Sequence, residues 1–590
     1  MNIARKLTSL PYNNIRQSFY RKFKFSAINN DAVEATQPKV QEEKFDFEDL
    51  KVIERTERRN AKINPFMKDI FISKFNRDLL AYPEILNKDE NTDLENRISL
   101  LEKSFCNSNS NKDDLKQSLR ATNMYGATAS LTQRGLAANY TELLRYLEVI
   151  GADLELGQAL SEHWISLSAL KQGLSADDYT AIIDDLMSGD DTISICIKER
   201  ISERLAEADF KTTAEIDQRG IWRVNGEKIH INRTGYIIVV ALTEGSQLKA
   251  LLVKPDAEGI TYKDNYVTFN NTPAIVLNMA NEETLSQTLG ANRLFTSTLC
   301  RTSLQQAIQA CIEYVRPRFM LGKPLSELST IRATLGETIL YLYACESAEY
   351  FTAGLLDGYL EPDAEMEMAM CRNFMSHHGQ RLLLKLLAIP GVEKQKDCLR
   401  MLENMRLLTL RGETVEDVNM FIGLNGVHYA SKSMVDEIKK IRNPFFNPSF
   451  VFKKMLSNRH QEKDEPKLDL YLAEHLHPSL KLPSDNLEYC VKRMRFVCET
   501  LLARHGLEIG NPILNRFERL SYCIGVRHAE NEMKLAACFV EMTKNRVKTL
   551  LTEVIEGEYL NLDYFTVQIG RKALDGKESL VEKPTARTFW

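Results

Sequence analysis

The hydrophobic pattern of this 590-residue chain changes its period twice, and that change limits the folds the chain can adopt. From about residue 91 to 190, apolar residues recur about every three to four positions, as on one face of a helix. From about 191 to 280 they alternate, as in strands, and from about 282 to 430 the helical period returns. The sequence therefore predicts a mainly α-helical protein with a central β-domain.

Local signals agree with this division. Ser175 precedes two aspartates and a helical pattern, which predicts that it caps a helix N-terminus. Asn225-Gly226, between Trp222 and Ile231, is a dipeptide typical of a β-hairpin turn. The helical stretch 139–150 places its larger apolar residues on one face, namely Leu143, Leu144, Leu147 and Ile150.

The second helical block continues to the C-terminus. Three long helices are predicted, at 285–314, 337–356 and 364–387. Met401–Leu424 is predicted to be a short loop that leads into an amphipathic helix whose apolar stripe includes Val418, Phe421 and Ile422. Residues 431–590 have helical patterns of their own, so an additional C-terminal helical domain is expected.

The composition excludes several classes of protein. A net charge of −5 gives no overall nucleic-acid signature, so we expect no nucleic-acid partner. The 11 cysteines are scattered, with no C-x-x-C pair and no clustered histidine, which argues against a metal site or a disulfide scaffold. No apolar run approaches the length of about 18 residues that a membrane-spanning helix needs.

The first thirty residues differ from the rest of the chain. They contain no acidic residue before Asp31, and their six cations are Arg5, Lys6, Arg16, Arg21, Lys22 and Lys24. Such a leader predicts a mitochondrial targeting peptide over residues 1–30, and a basic tail is the alternative. The charged stretch 31–60 lacks a hydrophobic period and is predicted to be a linker.

A second unusual segment lies at 439–454. It mixes lysines and arginine with four phenylalanines, at positions 445, 446, 450 and 452. Cations beside large apolar groups suit an anionic membrane surface. The segment is therefore a candidate membrane-surface element, and an inter-domain linker packed on the core is an equal alternative.

Several motifs carry a resemblance to a known family. Asn64–Phe71, followed by Ala81–Ile85, resembles the N-P-F-x-K-x-L-F and F-P-E motifs of the very-long-chain branch of acyl-CoA dehydrogenases. Arg318–Leu325 is similar to the family's R-x-Q-F-G-x-P-L, and Glu349–Asp357 to its M-x-Y-L-T-A-G-x-L-D. The resemblance implies a helical domain over 61–190, a β-domain over 191–281 and a helical bundle over 282–430, followed by the additional domain.

The flavin motifs of the family are altered in this chain. Lys198, Arg200 and Glu203–Leu205 replace the threonine, proline and G-S-D of the family's C-L-T-E-P-x-x-G-S-D. In the Q-I-x-G-G-x-G loop, Ala388 and Ile389 replace two glycines, and Pro390 removes a backbone donor. Bulky side chains prevent the close backbone approach that a phosphate cradle needs.

The arginine of this flavin machinery is kept. Arg318 matches the arginine that, in the family, reaches the flavin pyrophosphate across the dimer. The resemblance therefore implies a homodimer and makes Arg318 the one candidate cofactor-binding residue. The altered motifs predict that no cofactor is bound, and FAD is expected only if the chain is an active enzyme.

The general base of the family is also displaced. Aligning the family's F-E-G-T core places Gly412 at the position of the base and Glu413 one residue later. The other base position used in the family, just before an arginine, is Asn292 here. Glu413 is the candidate catalytic residue, with a helix-start charge favoured by the helix dipole as its alternative role.

These losses together favour a dehydrogenase-derived scaffold. One member of the very-long-chain branch assists the assembly of respiratory complex I, with other assembly factors, on the matrix side of the mitochondrial inner membrane. The resemblance implies that function here. The alternatives are an FAD-dependent long-chain or very-long-chain acyl-CoA dehydrogenase of mitochondrial fatty acid β-oxidation, and a flavin-free binder of acyl-CoA or acyl carrier.

Overall fold

The computed structural model describes a large part of the chain. The described residues are 62–80, 85–105, 111–199, 211–229, 235–244, 247–263, 266–278, 282–391, 395–410, 413–462 and 468–475, with scattered positions at 481–502 and 568–575. All of them belong to one compact unit, Lys51–Trp590. The predicted targeting peptide and the predicted linker lie outside the described residues.

The N-terminal part is helical, as the sequence predicts. Its helices are α1 (Phe66–Ile70), α2 (Lys88–Phe105), α3 (Lys112–Ala121), α4 (Tyr140–Ile150), α5 (Leu154–Gly173) and α6 (Ala176–Ser188). The predicted apolar face of α4 is buried. The predicted cap is confirmed, because the Ser175 hydroxyl accepts a hydrogen bond from the Asp178 amide at 3.2 Å.

The strand-patterned block forms a closed sheet. Its strands are β1 (Ile193–Cys196), β2 (Thr213–Ile216), β3 (Trp222–Ile229), β4 (Tyr236–Thr243), β5 (Gln247–Val253), β6 (Ile260–Lys263) and β7 (Tyr266–Val276). The pairings β4–β2, β2–β3, β3–β7, β7–β5 and β5–β4 complete a ring, with β1 added beside β4 and β6 beside β7. The central β region is therefore barrel-like, with its own apolar interior.

The predicted hairpin turn at Asn225-Gly226 is wrong. Both residues lie inside β3, where the pairing with β7 shifts register between Val224 and Gly226. The β2–β3 turn lies earlier in the chain, where the Asp217 amide donates to the Ile221 carbonyl at 2.9 Å. Gly226 has φ +146°, so the glycine serves a bulge in the strand.

The second helical block contains longer helices than the first. They are α7 (Glu282–Val315), α8 (Ser329–Gly358), α9 (Glu365–Leu387), α10 (Gln395–Leu410), α11 (Val415–Ser433), α12 (Val435–Arg442) and α13 (Pro448–Glu462). A short hairpin of β8 (Phe319–Met320) and β9 (Lys323–Pro324) joins α7 to α8. The predicted loop at the start of Met401–Leu424 is wrong, because residues 401–410 are helical and the break falls just before Val415.

The largest core cluster combines the two helical blocks. It unites apolar residues of α2–α5 with those of α7–α10, including Trp164 and Phe295, whose rings meet edge to face at 6.0 Å. The fold class is confirmed as mainly α with a central β region. The separate domain over 431–590 stays a prediction, because most residues after 475 lie outside the described part. Within the described part, no helix is long and apolar enough to span a bilayer.

Candidate functional site

Glu413 lies just before α11, and its carboxylate is bound by an arginine of α7. Arg293 Nε donates to Glu413 Oε2 at 2.6 Å, and Arg293 Nη2 donates to the other carboxylate oxygen. The Arg293 guanidinium lies 4.0 Å from the centroid of the Phe421 ring. Arg372 of α9 adds a hydrogen bond to the Glu413 carbonyl at 2.7 Å. The candidate base therefore forms a bidentate, largely buried ion pair with Arg293.

The surroundings of Glu413 determine its basicity. Burial alone raises the pKa of Glu413, but the hydrogen bonds and charge of Arg293, with the charge of Arg372, outweigh it, so the pKa is lowered from its ordinary value. A general base works best when its pKa lies near the working pH. A carboxylate with a lowered pKa and both oxygens bound is a poor proton acceptor, so the arrangement favours a structural role.

Replacing Glu413 with glutamine tests this role. We expect Glu413→Gln to lower the free energy of unfolding at pH 7 by about 3 kcal/mol, because Arg293 would stay buried without its anion. The folded-state pKa of Glu413 is lowered, so the ion pair stabilises the wild type fully above the unfolded-state pKa, near 4.5. The difference between the two proteins should shrink as the pH falls below that value.

Urea unfolding at pH 7 and at pH 4 would measure both effects. Glu327→Gln, which changes an exposed carboxylate, is the matched control and should leave stability within about 0.5 kcal/mol of the wild type. A Glu413→Gln protein as stable as the wild type would contradict the structural role.

The family's two base positions carry no carboxylate in this chain. Asn292 is half-buried on α7 beside Arg293, and its amide cannot take up an α-proton as a carboxylate does. Gly412 lies outside the described residues. Neither position offers an acid that could replace the ion-paired Glu413.

Arg318 lies at the far end of α7 from this ion pair. Its guanidinium stacks 3.7 Å from the Tyr314 ring centroid, and its Nη1 donates to the Tyr314 carbonyl at 2.9 Å. About 22 helical residues separate Arg293 from the end of α7, which corresponds to roughly 33 Å at 1.5 Å per residue. Within one chain the structure therefore does not bring the two candidate site residues, Glu413 and Arg318, together.

The loop after α9 does not form a phosphate cradle. The Ala388 amide donates to the Leu384 carbonyl at 3.2 Å, and the Ile389 amide donates to Leu386 at 3.0 Å. Pro390 has no N–H group to donate. These donors are used inside the chain or absent, so the loop does not fit the dinucleotide in the manner of the family's glycine-rich loop.

Glu199 matches the glutamate of the family's C-L-T-E-P-x-x-G-S-D motif, and it has structural partners in this chain. Glu199 is buried and accepts from Lys228 Nζ at 2.7 Å, from the Thr212 amide at 3.1 Å and from the Thr212 hydroxyl at 3.0 Å. Lys228 also donates to the Ile197 carbonyl at 2.8 Å. This buried pair joins the end of β1 to β3, so its retention reflects the β-barrel. Residues 200–205 of the motif lie outside the described part.

A buried ionic network in the helical core was not found by sequence reasoning. Arg301 of α7 is fully buried and donates to Glu349 of α8 at 2.8 Å and to Glu148 of α4 at 2.7 Å. Glu148 also accepts from the Tyr350 hydroxyl at 2.8 Å and pairs with Arg145. The only sequence signal was the presence of charges at positions where α4, α7 and α8 otherwise place apolar core residues.

The described residues contain no group of three or more histidine, cysteine, aspartate or glutamate side chains that could hold a metal ion. The functional candidates are therefore the ion pair at Glu413, the region around Arg318 and the exposed surface.

Comparison with known proteins identifies what this chain is similar to. The sequence model described as "Acyl-CoA dehydrogenase, C-terminal domain" matches residues 283–410, which cover α7 to α10. The mitochondrial very long-chain specific acyl-CoA dehydrogenase of Macaca fascicularis is 20% identical over 496 residues, covering 76% of this chain and 75% of that protein. The human protein with the same description is 20% identical over 514 residues, covering 80% and 78%.

Solved structures agree on the fold. The crystal structure of an acyl-CoA dehydrogenase from Geobacillus kaustophilus superposes with a TM-score of 0.52 at 15% identity, covering 58% of this chain and 98% of that one. At this level of identity the match concerns the fold alone. The remaining part of this chain has no counterpart in that structure.

Proposed function

Because the chain is a member of the acyl-CoA dehydrogenase family, we propose that it is a dehydrogenase-derived scaffold with little or no catalytic activity. The proposed role is that of a mitochondrial respiratory complex I assembly factor. In its sequence motifs it most resembles acyl-CoA dehydrogenase family member 9, the member of the very-long-chain branch with that role. The relatives that it matches over three quarters of its length are described as mitochondrial.

The observation that carries this proposal is the ion pair between Glu413 and Arg293. The carboxylate nearest to the family's base position is bound through both oxygens, and its pKa is lowered. Loss of a general base costs about 10²–10⁴ in rate. This protein keeps the fold but holds the carboxylate in an ion pair. Such an arrangement suits a binding role better than proton abstraction.

The loop after α9 supports the same proposal. In this family the flavin accepts the hydride, and the protein only binds and orients it. Here the amides of Ala388 and Ile389 are engaged within the end of the helix, and Arg318 is stacked on Tyr314. We propose that the protein, as a homodimer, binds no stoichiometric FAD.

Flavin content and partners test the function directly. The proposal expects purified full-length protein to lack flavin absorbance, to leave palmitoyl-CoA unoxidised and to co-purify with complex I assembly intermediates from mitochondria. Stoichiometric flavin absorbance that is bleached by palmitoyl-CoA would establish the alternative, an FAD-dependent long-chain or very-long-chain acyl-CoA dehydrogenase. That alternative draws support from the described activity of the relatives.

We propose a location on the matrix side of the inner membrane, and the segment 439–454 supports contact with a membrane surface. Phe445 is 95% exposed and Phe446 is 87% exposed, in the turn between α12 and α13. Lys440 lies over the Phe450 ring at 5.5 Å, and further exposed cations flank the turn. Exposed aromatic rings beside cations are suited to insertion between anionic lipid head groups.

Replacing both phenylalanines with serine tests the membrane contact. We expect Phe445→Ser/Phe446→Ser to weaken binding to cardiolipin-containing vesicles at least about tenfold, because each ring contributes roughly 1.5–3 kcal/mol on burial. Vesicle co-sedimentation would measure it. Leu321→Ser removes another apolar residue that is 95% exposed and is the matched control. Equal sedimentation of the double variant and the wild type would contradict the proposal.

A further inference from the structure

A short described segment near the C-terminus packs on the helical core. Residues 568–572 and 574–575, here called the C-terminal clasp, include helical positions that lie against the connection between α7 and α8. Leu574 is buried in the largest core cluster. Its carbonyl accepts a hydrogen bond from Arg316 Nη2, just after α7, at 3.2 Å. Two contacts therefore hold the clasp, namely the buried Leu574 side chain and the hydrogen bond from the Arg316 cation to the Leu574 carbonyl.

Gly570 shows how closely the clasp approaches. A Cβ atom at this position would overlap the Arg332 carbonyl oxygen and would lie 2.8 Å from its carbon and 3.0 Å from its Cα. Gly570 has no positive φ in this structure, so its backbone conformation does not require glycine. The requirement is steric, because only a residue without a side chain lets the clasp lie against the first turn of α8.

The clasp therefore touches the connection at both of its ends, Arg316 and Arg332. Between them, the Leu325 amide donates to the Arg318 carbonyl at 2.8 Å. Arg332 Nε donates to the Ser326 carbonyl at 2.6 Å. The connection also carries an apolar hairpin tip whose Leu321 is 95% exposed.

We infer that the C-terminal clasp locks the 316–332 connection in place and so couples the C-terminal region of the chain to the segment that holds Arg318 and the exposed hairpin. Release of the clasp would free the ends of the connection and uncover the Leu574 site. The inference does not depend on the proposed function.

Hydrogen exchange on the full-length protein tests this coupling. We expect Gly570→Ala to accelerate exchange in peptides covering 316–332 at least about tenfold, because the added methyl group displaces the clasp. Peptides covering α5 and α11 should keep wild-type protection. Gly423→Ala is the matched control, since a Cβ there meets nothing within 4 Å, and it should leave 316–332 unchanged.

A second variant distinguishes displacement of the clasp from a local effect of the added methyl group. Leu574→Ser keeps Gly570 but removes the buried anchor, and it should accelerate the same peptides. The inference is overturned if 568–575 loses protection while 316–332 keeps it, or if Gly570→Ala changes neither segment. It is equally overturned if exchange rises to the same extent in 316–332, α5 and α11, because that pattern would reflect general destabilisation.

Discussion

Replacing Arg301 with methionine is expected to lower the free energy of unfolding by about 4 kcal/mol or more. Methionine has a similar length and preserves packing, but it removes the cation that Glu349 and Glu148 share. Removing one partner of a buried ion pair costs about 3–5 kcal/mol, because the other charge is left buried and uncompensated. Here one cation serves two carboxylates, so the upper part of that range applies.

The network also contains a position where losing a charge should stabilise the protein. Glu346 lies 3.8 Å from Arg301, and burial raises its pKa to about 7 in spite of the attraction of Arg301. With Glu346 protonated, Arg301 keeps two carboxylate partners, Glu349 and Glu148. Arg145 pairs with Glu148 and Glu95. Glutamine at position 346 mimics the protonated acid without requiring a proton.

Glu346→Gln is therefore the companion variant to Arg301→Met. The pKa of Glu346 is higher in the folded state than in the unfolded state. The protein therefore loses stability as the pH rises from the unfolded-state pKa, near 4.5, through the folded-state pKa, near 7. We expect Glu346→Gln to gain about 1–2 kcal/mol over the wild type at pH 8 and nothing at pH 4. Urea unfolding of both variants at pH 4, 6 and 8 would measure these opposite effects.

The two variants together separate charge from packing. If Arg301→Met and Glu346→Gln both destabilise the protein to the same extent at every pH, the network is held by packing and the electrostatic account is wrong. Arg381→Met, which removes an exposed cation paired with Glu337, should change stability by less than about 1 kcal/mol.

Adding one methyl group at Gly426 is the second large effect that we expect. The N-terminal segment packs on α11, where a Cβ at Gly426 would overlap the Phe71 ring. Phe71 is buried with Met366, Val427 and Ala430 in a separate apolar cluster. We expect Gly426→Ala to lower the free energy of unfolding by about 2–4 kcal/mol, because Phe71 must leave its site or strain α11.

Gly423 provides a matched control on the same helix. Gly423→Ala makes the same chemical change one turn earlier, where nothing lies within 4 Å of the added atom. It should stabilise the protein by about 0.5–1 kcal/mol, because alanine favours a helix more than glycine does. Thermal or urea unfolding of the pair would isolate the clash. A Gly426→Ala protein that matches Gly423→Ala in stability would show that Phe71 does not dock there.

The docking of this N-terminal segment also uses polar contacts between residues far apart in sequence. The Tyr429 hydroxyl donates to Asp69 at 2.7 Å, and the Met67 amide donates to Glu367 at 2.9 Å. In the sequence, the N-P-F motif indicated only a resemblance to the family. Its partners lie about 300–360 residues later, and the sequence pattern carries no information about which helix faces which.

The sequence by itself determined the fold class, the three longest helices of the second helical block, and the loss of the glycines and small residues that a flavin site requires. These features are local, because the hydrophobic period and residue size act within one element. The hairpin turn was misplaced because Asn-Gly suits a bulge as well as a turn, and only pairing with β7 selected the bulge.

Only the tertiary structure decided what the surviving charged residues do. Glu413 and Arg293 are 120 residues apart, and Arg301 and Glu148 are 153 apart, yet each pair meets where helices pack together. The clasp likewise depends on Gly570 meeting α8. Which side chains meet is set by the packing of whole elements, and that packing is the sum of many weak contacts spread along the chain.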